Sequence, residues 1–504
     1  MPPDHALFHA PFHAPFRTFQ GSTAHARLGL RFFQPVKPAA FAQHVLRFRN
    51  DRHAEPLGLG HLDDAAWIDH FARFEPLRDS HPGPIALAYH GHQFQHYNPD
   101  LGDGRGFLFA QCREPGTGRI LDFGTKGSGR TPWSRGGDGR LTLKGAVREI
   151  LASEMLEALG VDTSKTFSVV ETGEALTRGD EPSPTRSAVL VRLSHGHIRI
   201  GSFQRQAHLG DISALEALVR YSAQTYLGLN VADDTPIAQL AVDLLRAVAQ
   251  NTARTAADWM AAGFVHGVLN TDNINITGES FDYGPWRFLP DLEPEFTAAY
   301  FDDFGLYAYG RQPGAVAWNV DRLAESLAAL APIPELTHAV EAFEPAYDQA
   351  LRAALARRLG ITVEDATRIK LAERLFPAMA ALHTAAPDAA APTFEQVFFD
   401  CYGGHAGARR TLARDRYAQT PLTGLVAELA ATPPAPYAQP DHPYFQGPAP
   451  ETMLIDEVEA IWAAIDQRDD WGPLYDKVDR LRAMSGIYTS DENRPQTSST
   501  AIGS

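Results

Sequence analysis

Residues 266–285 read HGVLNTDNINITGESFDYGP. His266, Leu269 and Asn273 stand at intervals of three and four, and Asp282-Tyr283-Gly284 follows nine residues on. Asn273 and Asp282 are oxygen donors suited to a hard cation such as Mg2+, an ion that also takes phosphate oxygens and water. Asp272 sits beside them as a carboxylate able to accept a proton. Taken singly, the asparagine reads as a helix cap and Asp282 as a turn residue. Their joint spacing favours a metal and phosphate site.

The register resembles the catalytic loop of protein kinases, H-R-D-L-x-x-x-N followed by D-F-G. The position of the kinase catalytic aspartate holds Val268. A hydroxyl cannot lose its proton to valine, so the spacing alone reads as a nucleotide-binding, kinase-like site and leaves open a phosphotransferase with Asp272 as a displaced base or a silent ATP-binding scaffold.

Working outward toward the N-terminus, other kinase-like features appear in kinase order. Leu101-Gly-Asp-Gly-Arg-Gly106 carries three glycines whose amides can approach phosphates, although a tight turn between strands has the same composition. Lys126 ends LDFGTK. On a strand it shares a face with Asp122 and Gly124, and Gly124 leaves room beside it. Glu149 is the expected carboxylate partner, flanked on its helix face by the small Ala146 and Ser153. Thr131–Arg140, TPWSRGGDGR, reads as a phosphate-binding loop around Asp138 or as a solvated turn. Arg192 and Arg199 are candidate phosphate forks, or surface charges if taken alone. His90, His92 and His96 would share a face of one strand, but with no carboxylate placed beside them they read as packing or surface residues. P-loop, zincin and nucleophile-elbow motifs are missing from the sequence.

The expected architecture is α+β, a protein-kinase-like two-lobe fold with a strand-rich small lobe and a helical large lobe. Strands are expected at 85–89, 106–111, 120–125, 166–171 and 187–193. In TLKGAVREILASEMLEALG the apolar residues recur every three or four positions, a helix stopped by Gly160. Helices are expected at 213–226, 236–262, 320–330, 336–359, 362–382 and 451–468. Loops are expected at 385–392 and 432–450, the latter with seven prolines in nineteen residues. The reading divides the chain into a packed N-terminal extension (1–84), a small lobe (85–230), a large lobe (231–487) and a disordered tail (488–504).

The composition, 44% hydrophobic and 21% charged, is that of a globular protein. A net charge of −16 argues against nucleic acid or anionic membrane as a general partner. Two cysteines without metal spacing, no secretory signal and no long apolar run point to a cytoplasmic protein, expected to be a monomer.

LGDGRG, TKGSGRTPWSRGGDGR, VREILASEML, HIRIGSFQ and the opening stretch together resemble the SelO (selenoprotein O, YdiU) family. The resemblance implies a pseudokinase that transfers AMP from ATP to protein hydroxyls, with ATP inverted relative to kinases. Uridylyl transfer is also attributed to the family. Gly102, Gly104, Arg105, Lys126, Asp138, Gly139, Arg192 and Arg199 would then bind the nucleotide. Glu149 would pair with Lys126, Asn273 and Asp282 would hold Mg2+ or Mn2+, and Asp272 would accept the proton. Two departures stand out. HGHQFQHYNPD replaces the AGHQFG pattern of many members, and the C-terminus lacks the cysteine or selenocysteine through which some members are redox-controlled.

Overall fold

A computed structural model describes residues 18–179, 181–232, 234–385 and 392–488. The N-terminal MPPDHALFHAPFHAPFR, the tail beyond Tyr488 and most of the 385–392 loop lie outside the described residues.

A nine-stranded antiparallel sheet forms one half. Its main path runs Phe33–Pro35, Ile85–Leu87, Leu108–Arg113, Ile120–Lys126, Thr185–Ser194, Lys165–Leu176, Val45–Arg49. Residues before 85 therefore supply strands to both edges. The period of two decides what each face does. From Thr185–Ser194, Val189, Val191 and Leu193 join an aromatic cluster with Trp67, Phe71, Phe123 and Phe167. Trp67 and Phe71 come from the helix Asp64–Phe71, whose Asp63 caps Ala66 N–H at 2.8 Å. Ala188 and Leu190 point the other way, into the core built on the helix Leu143–Ala158. Arg192 shares that second face. In the register, Leu190 pairs with Lys126 and Arg192 with Gly124. Lys126 and Arg192 are thus diagonal neighbours facing the same helix.

That helix begins where Thr142 accepts a hydrogen bond from Gly145 N–H at 3.1 Å, and ends before Gly160 at φ +78°. It is buried on nearly all sides, including Glu149, Ser153 and Glu154. Gly124 serves a different neighbour from the one expected: a Cβ there would lie 2.3 Å from His197 Nε2, so the clearance accommodates His197 and not the lysine.

The other half is helical, arranged around Ile237–Ala262. Gly263 closes this helix at φ +62°, and the strand pair Phe264–Val265 with Arg287–Phe288 then brackets the loop that carries 266–286. The expected 336–359 helix is two helices, Ile333–Val340 and Phe343–Leu359. Pro345 is tolerated only in a first turn, so the helix restarts just before it. The expected 362–382 helix also breaks, at Lys370 with φ +53°. Two C-terminal helices, Ile455–Arg468 and Gly472–Ala483, return to the strand-rich half. Arg482 bonds Glu154 at 2.6 Å, Lys144 bonds Glu459 at 2.7 Å, and Arg186 bonds Asp469 at 2.7 Å. No helix among the described residues is long and apolar enough to cross a membrane.

On the face of the sheet that bears Lys126, His25, His81, Asp122 and His197 are buried near one another. Neither ring nitrogen of His25 has a partner. Burial outweighs the attraction of Asp122, and His81 and His197 add repulsion, so the His25 pKa falls to about 4. A depressed histidine pKa means stability is present above the unfolded value near 6.5 and is lost as pH falls toward 4. The raised carboxyl of Asp272 has the opposite sign, so only a difference isolates the histidine. Between pH 7 and pH 4 the wild type is expected to lose on the order of 3 kcal/mol relative to His25→Leu. Parallel urea midpoints check this; parallel pH curves for the two proteins would refute it.

Candidate active site

The sheet, the glycine loop and the 266–286 loop enclose a cleft of about 730 Å3. Gly102, Gly104, Arg105, Lys126, Asp138, Gly139, Arg192, Arg199, Asp272 and Asp282 all contribute to its wall. Glu149 stands just behind, bonded to Lys126 Nζ and, through both oxygens, to Arg192 Nη2 at 3.2 Å. Asp282 Oδ1 receives Lys126 Nζ at 3.0 Å and Arg192 Nη2 at 3.2 Å. Two cations and two carboxylates from four distant segments thus form one buried cluster.

Burial alone would push the Asp282 carboxyl up, but Lys126, Arg192 and Arg199 together outweigh it and hold it well below the usual range. It is ionised at every working pH. Asp282 has φ +64°, a left-handed conformation that aspartate tolerates better than most residues. Its neighbours fix that turn. Tyr283 is buried, with its hydroxyl bonded to Thr163 and, at 2.8 Å, to Ser280 Oγ. His266 Nε2 bonds the Phe281 carbonyl at 2.9 Å.

Asp272 differs in kind. Its Oδ1 is buried with no hydrogen-bond partner. Burial raises its pKa to about 7, against the pull of Arg199 and with added repulsion from Asp282. The adjoining residues hold it in place. Thr271 Oγ1 accepts His92 N–H at 2.7 Å and donates to Gln204 Oε1 at 2.6 Å, and Gln204 Nε2 lies 2.7 Å from His92 Nδ1. Asn270 Oδ1 accepts Phe94 N–H at 3.0 Å and the Tyr307 hydroxyl at 2.9 Å. The carboxylate is therefore positioned by its neighbours, with its Oδ1 left unpartnered.

The histidine stretch supplies that buttress. It is a hairpin, Gly91–Gln93 paired with His96–Asn98, and Phe94 and Gln95 turn through positive φ. His90, His92 and His96 do not line one strand as the sequence pattern suggested, and no metal-binding group of three acidic, His or Cys side chains occurs among the described residues. Asn273 is off the cleft wall, and its side-chain amide donates to the Val268 carbonyl at 3.1 Å.

Backbone close to the phosphate-sized space is tightly packed. A Cβ on Gly102 would lie 2.3 Å from the Trp133 ring, and one on Gly139, at φ +71°, 2.3 Å from Gly129. Asp138 faces Arg178, at 2.8 and 3.1 Å. Arg199 bonds Asp103 at 3.2 Å and lies 4.2 Å over the Tyr89 ring. Sequence reasoning passed over Trp133, Arg178, Asp103 and Tyr89. Asp103 lay inside the glycine motif and Trp133 inside the quoted loop, whereas Arg178 carried no local signal.

Residues 15–395 match a family model described as protein adenylyltransferase SelO. The protein nucleotidyltransferase YdiU of Synechocystis sp. is 42% identical over 482 residues, 90% of this chain and 96% of the relative. The protein of the same name from Gloeobacter violaceus is 42% identical over 488 residues, 92% and 95% of the two chains. That from Synechococcus elongatus is 48% identical over 347 residues, 68% of each.

Proposed function

The chain belongs to the SelO family of protein adenylyltransferases, and from that premise we propose that it transfers AMP from ATP to serine, threonine or tyrosine hydroxyls of other proteins, releasing pyrophosphate. The observation that carries the reading is the pairing of opposites in one cleft. A cationic cluster with an ionised Asp282 and an Asp272 carboxyl with a buried, unpartnered oxygen contribute to the same wall.

The acceptor oxygen attacks the α-phosphorus, the bond from that phosphorus to the bridging oxygen breaks, and pyrophosphate carries the electron pair away. Lys126, Arg192 and Arg199 draw off the negative charge that gathers on the leaving group. Asp272 takes the hydroxyl proton, a task for which a pKa near the working pH is suited. Val268, apolar where a kinase has its base, is consistent with attack at a different phosphorus. The glycine loop and the Arg130–Arg140 segment would cradle the remaining phosphates with backbone amides and guanidinium groups.

The donor set fits a divalent cation, Mg2+ or Mn2+. Asp282 would offer its carboxylate from the cleft wall, whereas Asn273 lies off that wall with its amide on the Val268 carbonyl; Mg2+ takes one or two carboxylates plus phosphate oxygens rather than a full protein cage, so Asp282 would be its protein ligand. When bound, the ion would offset phosphate charge.

Incubation with a protein acceptor, Mg2+ and ATP labelled at either the α- or the γ-phosphate tests the reading. Label is expected on protein from the α-position only, with an intact-mass gain of one adenylate. Label from γ alone makes the protein a phosphotransferase, and binding without transfer makes it a scaffold. UTP in place of ATP gauges uridylyl transfer.

The positioning of Asp272 gives a second prediction. Thr271→Val removes both the acceptor and the donor of the His92–Thr271–Gln204 ring. It is expected to lower kcat roughly tenfold to a hundredfold with ATP affinity unchanged, because small misplacements of a reacting group cost on this scale. Thr271→Ser retains the hydroxyl and should restore most of the rate. Equal kinetics for the valine and serine variants would refute the positioning role.

A further inference from the structure

Beside the cleft the chain displays three aromatic side chains to solvent. Tyr300 is 79% exposed, Phe301 47% and Phe304 90%. No other five-residue stretch among the described residues exposes three large apolar side chains. Contiguous exposed apolar surface of this kind marks interaction sites in globular proteins.

The loop that carries them is fixed at several points. Both oxygens of Asp302 accept backbone N–H groups, from Leu306 and Tyr307, each at 2.8 Å. Arg311 holds the carbonyls of Phe304 and Gly305 at 2.9 and 3.1 Å. The aromatic rings are therefore presented to solvent on a built turn.

The position bears on the chemistry. Phe301 packs on Phe94 at 5.8 Å between ring centroids, and Phe94 on Tyr307 at 4.9 Å. Phe94 N–H and the Tyr307 hydroxyl both bond Asn270, two residues before Asp272. Gln93, next to Phe94, lines the cleft. The aromatic ledge thus adjoins the mouth at which an acceptor hydroxyl must arrive.

Charge selects the occupant. Residues 291–311 hold five carboxylates and a single arginine. Glu293 and Asp303 are exposed, and Glu295 bonds Arg311 at 2.7 Å. A cationic side chain is drawn to this rim, whereas an acidic one is drawn to the arginines of the cleft and competes with the triphosphate.

Resting on the adenylyl-transfer reading, we infer that residues 293–304 form the docking ledge for the acceptor protein. The ledge takes a segment in which the hydroxyl residue is accompanied by a lysine or arginine and a large apolar side chain.

Two fluorescent peptides test this on the full chain. One carries Ser and Thr among Lys, Arg, Leu and Phe, and in the other each basic residue is replaced by Glu. Anisotropy should detect the basic peptide only. Tyr300→Ser/Phe304→Ser should weaken its binding roughly tenfold or more, as loss of aromatic anchors does. Glu293→Lys/Asp303→Lys should reverse the preference. ATP affinity should be unchanged in both double variants. Wild-type protein that binds both peptides equally, or neither, overturns the ledge. So does wild-type binding in the variants, or capture of phosphatidylcholine vesicles in place of peptide. Transfer of α-label, followed in parallel, separates the two readings. Peptide binding that tracks the ledge without any transfer refutes adenylylation alone. Transfer to protein undiminished in Tyr300→Ser/Phe304→Ser refutes the ledge alone.

Discussion

Asp282→Asn is expected to reduce protein labelling from α-labelled ATP by roughly a thousandfold, the largest effect of any single replacement in the cleft. The side chain meets Lys126 at 3.0 Å and Arg192 at 3.2 Å, and those cations, with Arg199, keep it charged despite burial. Asparagine keeps the shape and one acceptor oxygen but not the charge. Lys126 remains paired with Glu149, so the fold should survive, as circular dichroism will show. On the proposed metal role, a divalent cation would lose its charged ligand and the leaving group the charge balance that this ion would supply. Mn2+ titration followed by electron paramagnetic resonance should show weakened metal binding in the variant. Labelling at the wild-type rate would remove Asp282 from the metal site.

Glu149→Ala is expected to cost both stability and activity. Glu149 neutralises Lys126 and also receives Arg192 on both oxygens, and all three side chains are buried. Removing one member of a buried ion pair leaves an uncompensated charge and costs about 3–5 kcal/mol. Here two cations would be left to share the half-buried Asp282. Lys126 and Arg192 would then engage Asp282 more closely and compete with its proposed metal role. The urea midpoint should fall, with α-label transfer lost even at temperatures where the variant is folded. Glu149→Gln, which keeps an acceptor, should fall between. A midpoint unchanged in Glu149→Ala would mean that the cluster contributes nothing to the fold.

Local signals carried much of this site in the sequence. The Leu143–Ala158 helix announced itself through apolar spacing, and the two-residue period put Lys126 on one face with Asp122 and Gly124, but Arg192 came to stand beside Lys126 only through the strand register. The glycine loop and Asp-Tyr-Gly are contiguous, so they could be picked out, but each alone also read as a turn, and it is their order along the chain that singled them out. Contacts made across the chain were not legible. The strand Val45–Arg49 pairs with residues more than a hundred positions later, and only the register reveals it. Arg178, in the connection between Lys165–Leu176 and Thr185–Ser194, reaches Asp138 in a loop 40 positions earlier. The Ile200–His208 helix was missed because it is short and its apolar face rests on Ile200 and Phe203 among polar residues; its polar Gln204 is buried and accepts a hydrogen bond from Thr271. The histidine stretch read as one strand because the left-handed turn at Phe94 and Gln95 uses residues that seldom adopt it.

The ion pairs from the last two helices to Glu154, Lys144 and Arg186 have a consequence for biosynthesis. The helix that bears Glu149 is braced by residues made more than three hundred positions after it. A nascent chain that has extruded both nucleotide loops but not residues 455–483 lacks this brace.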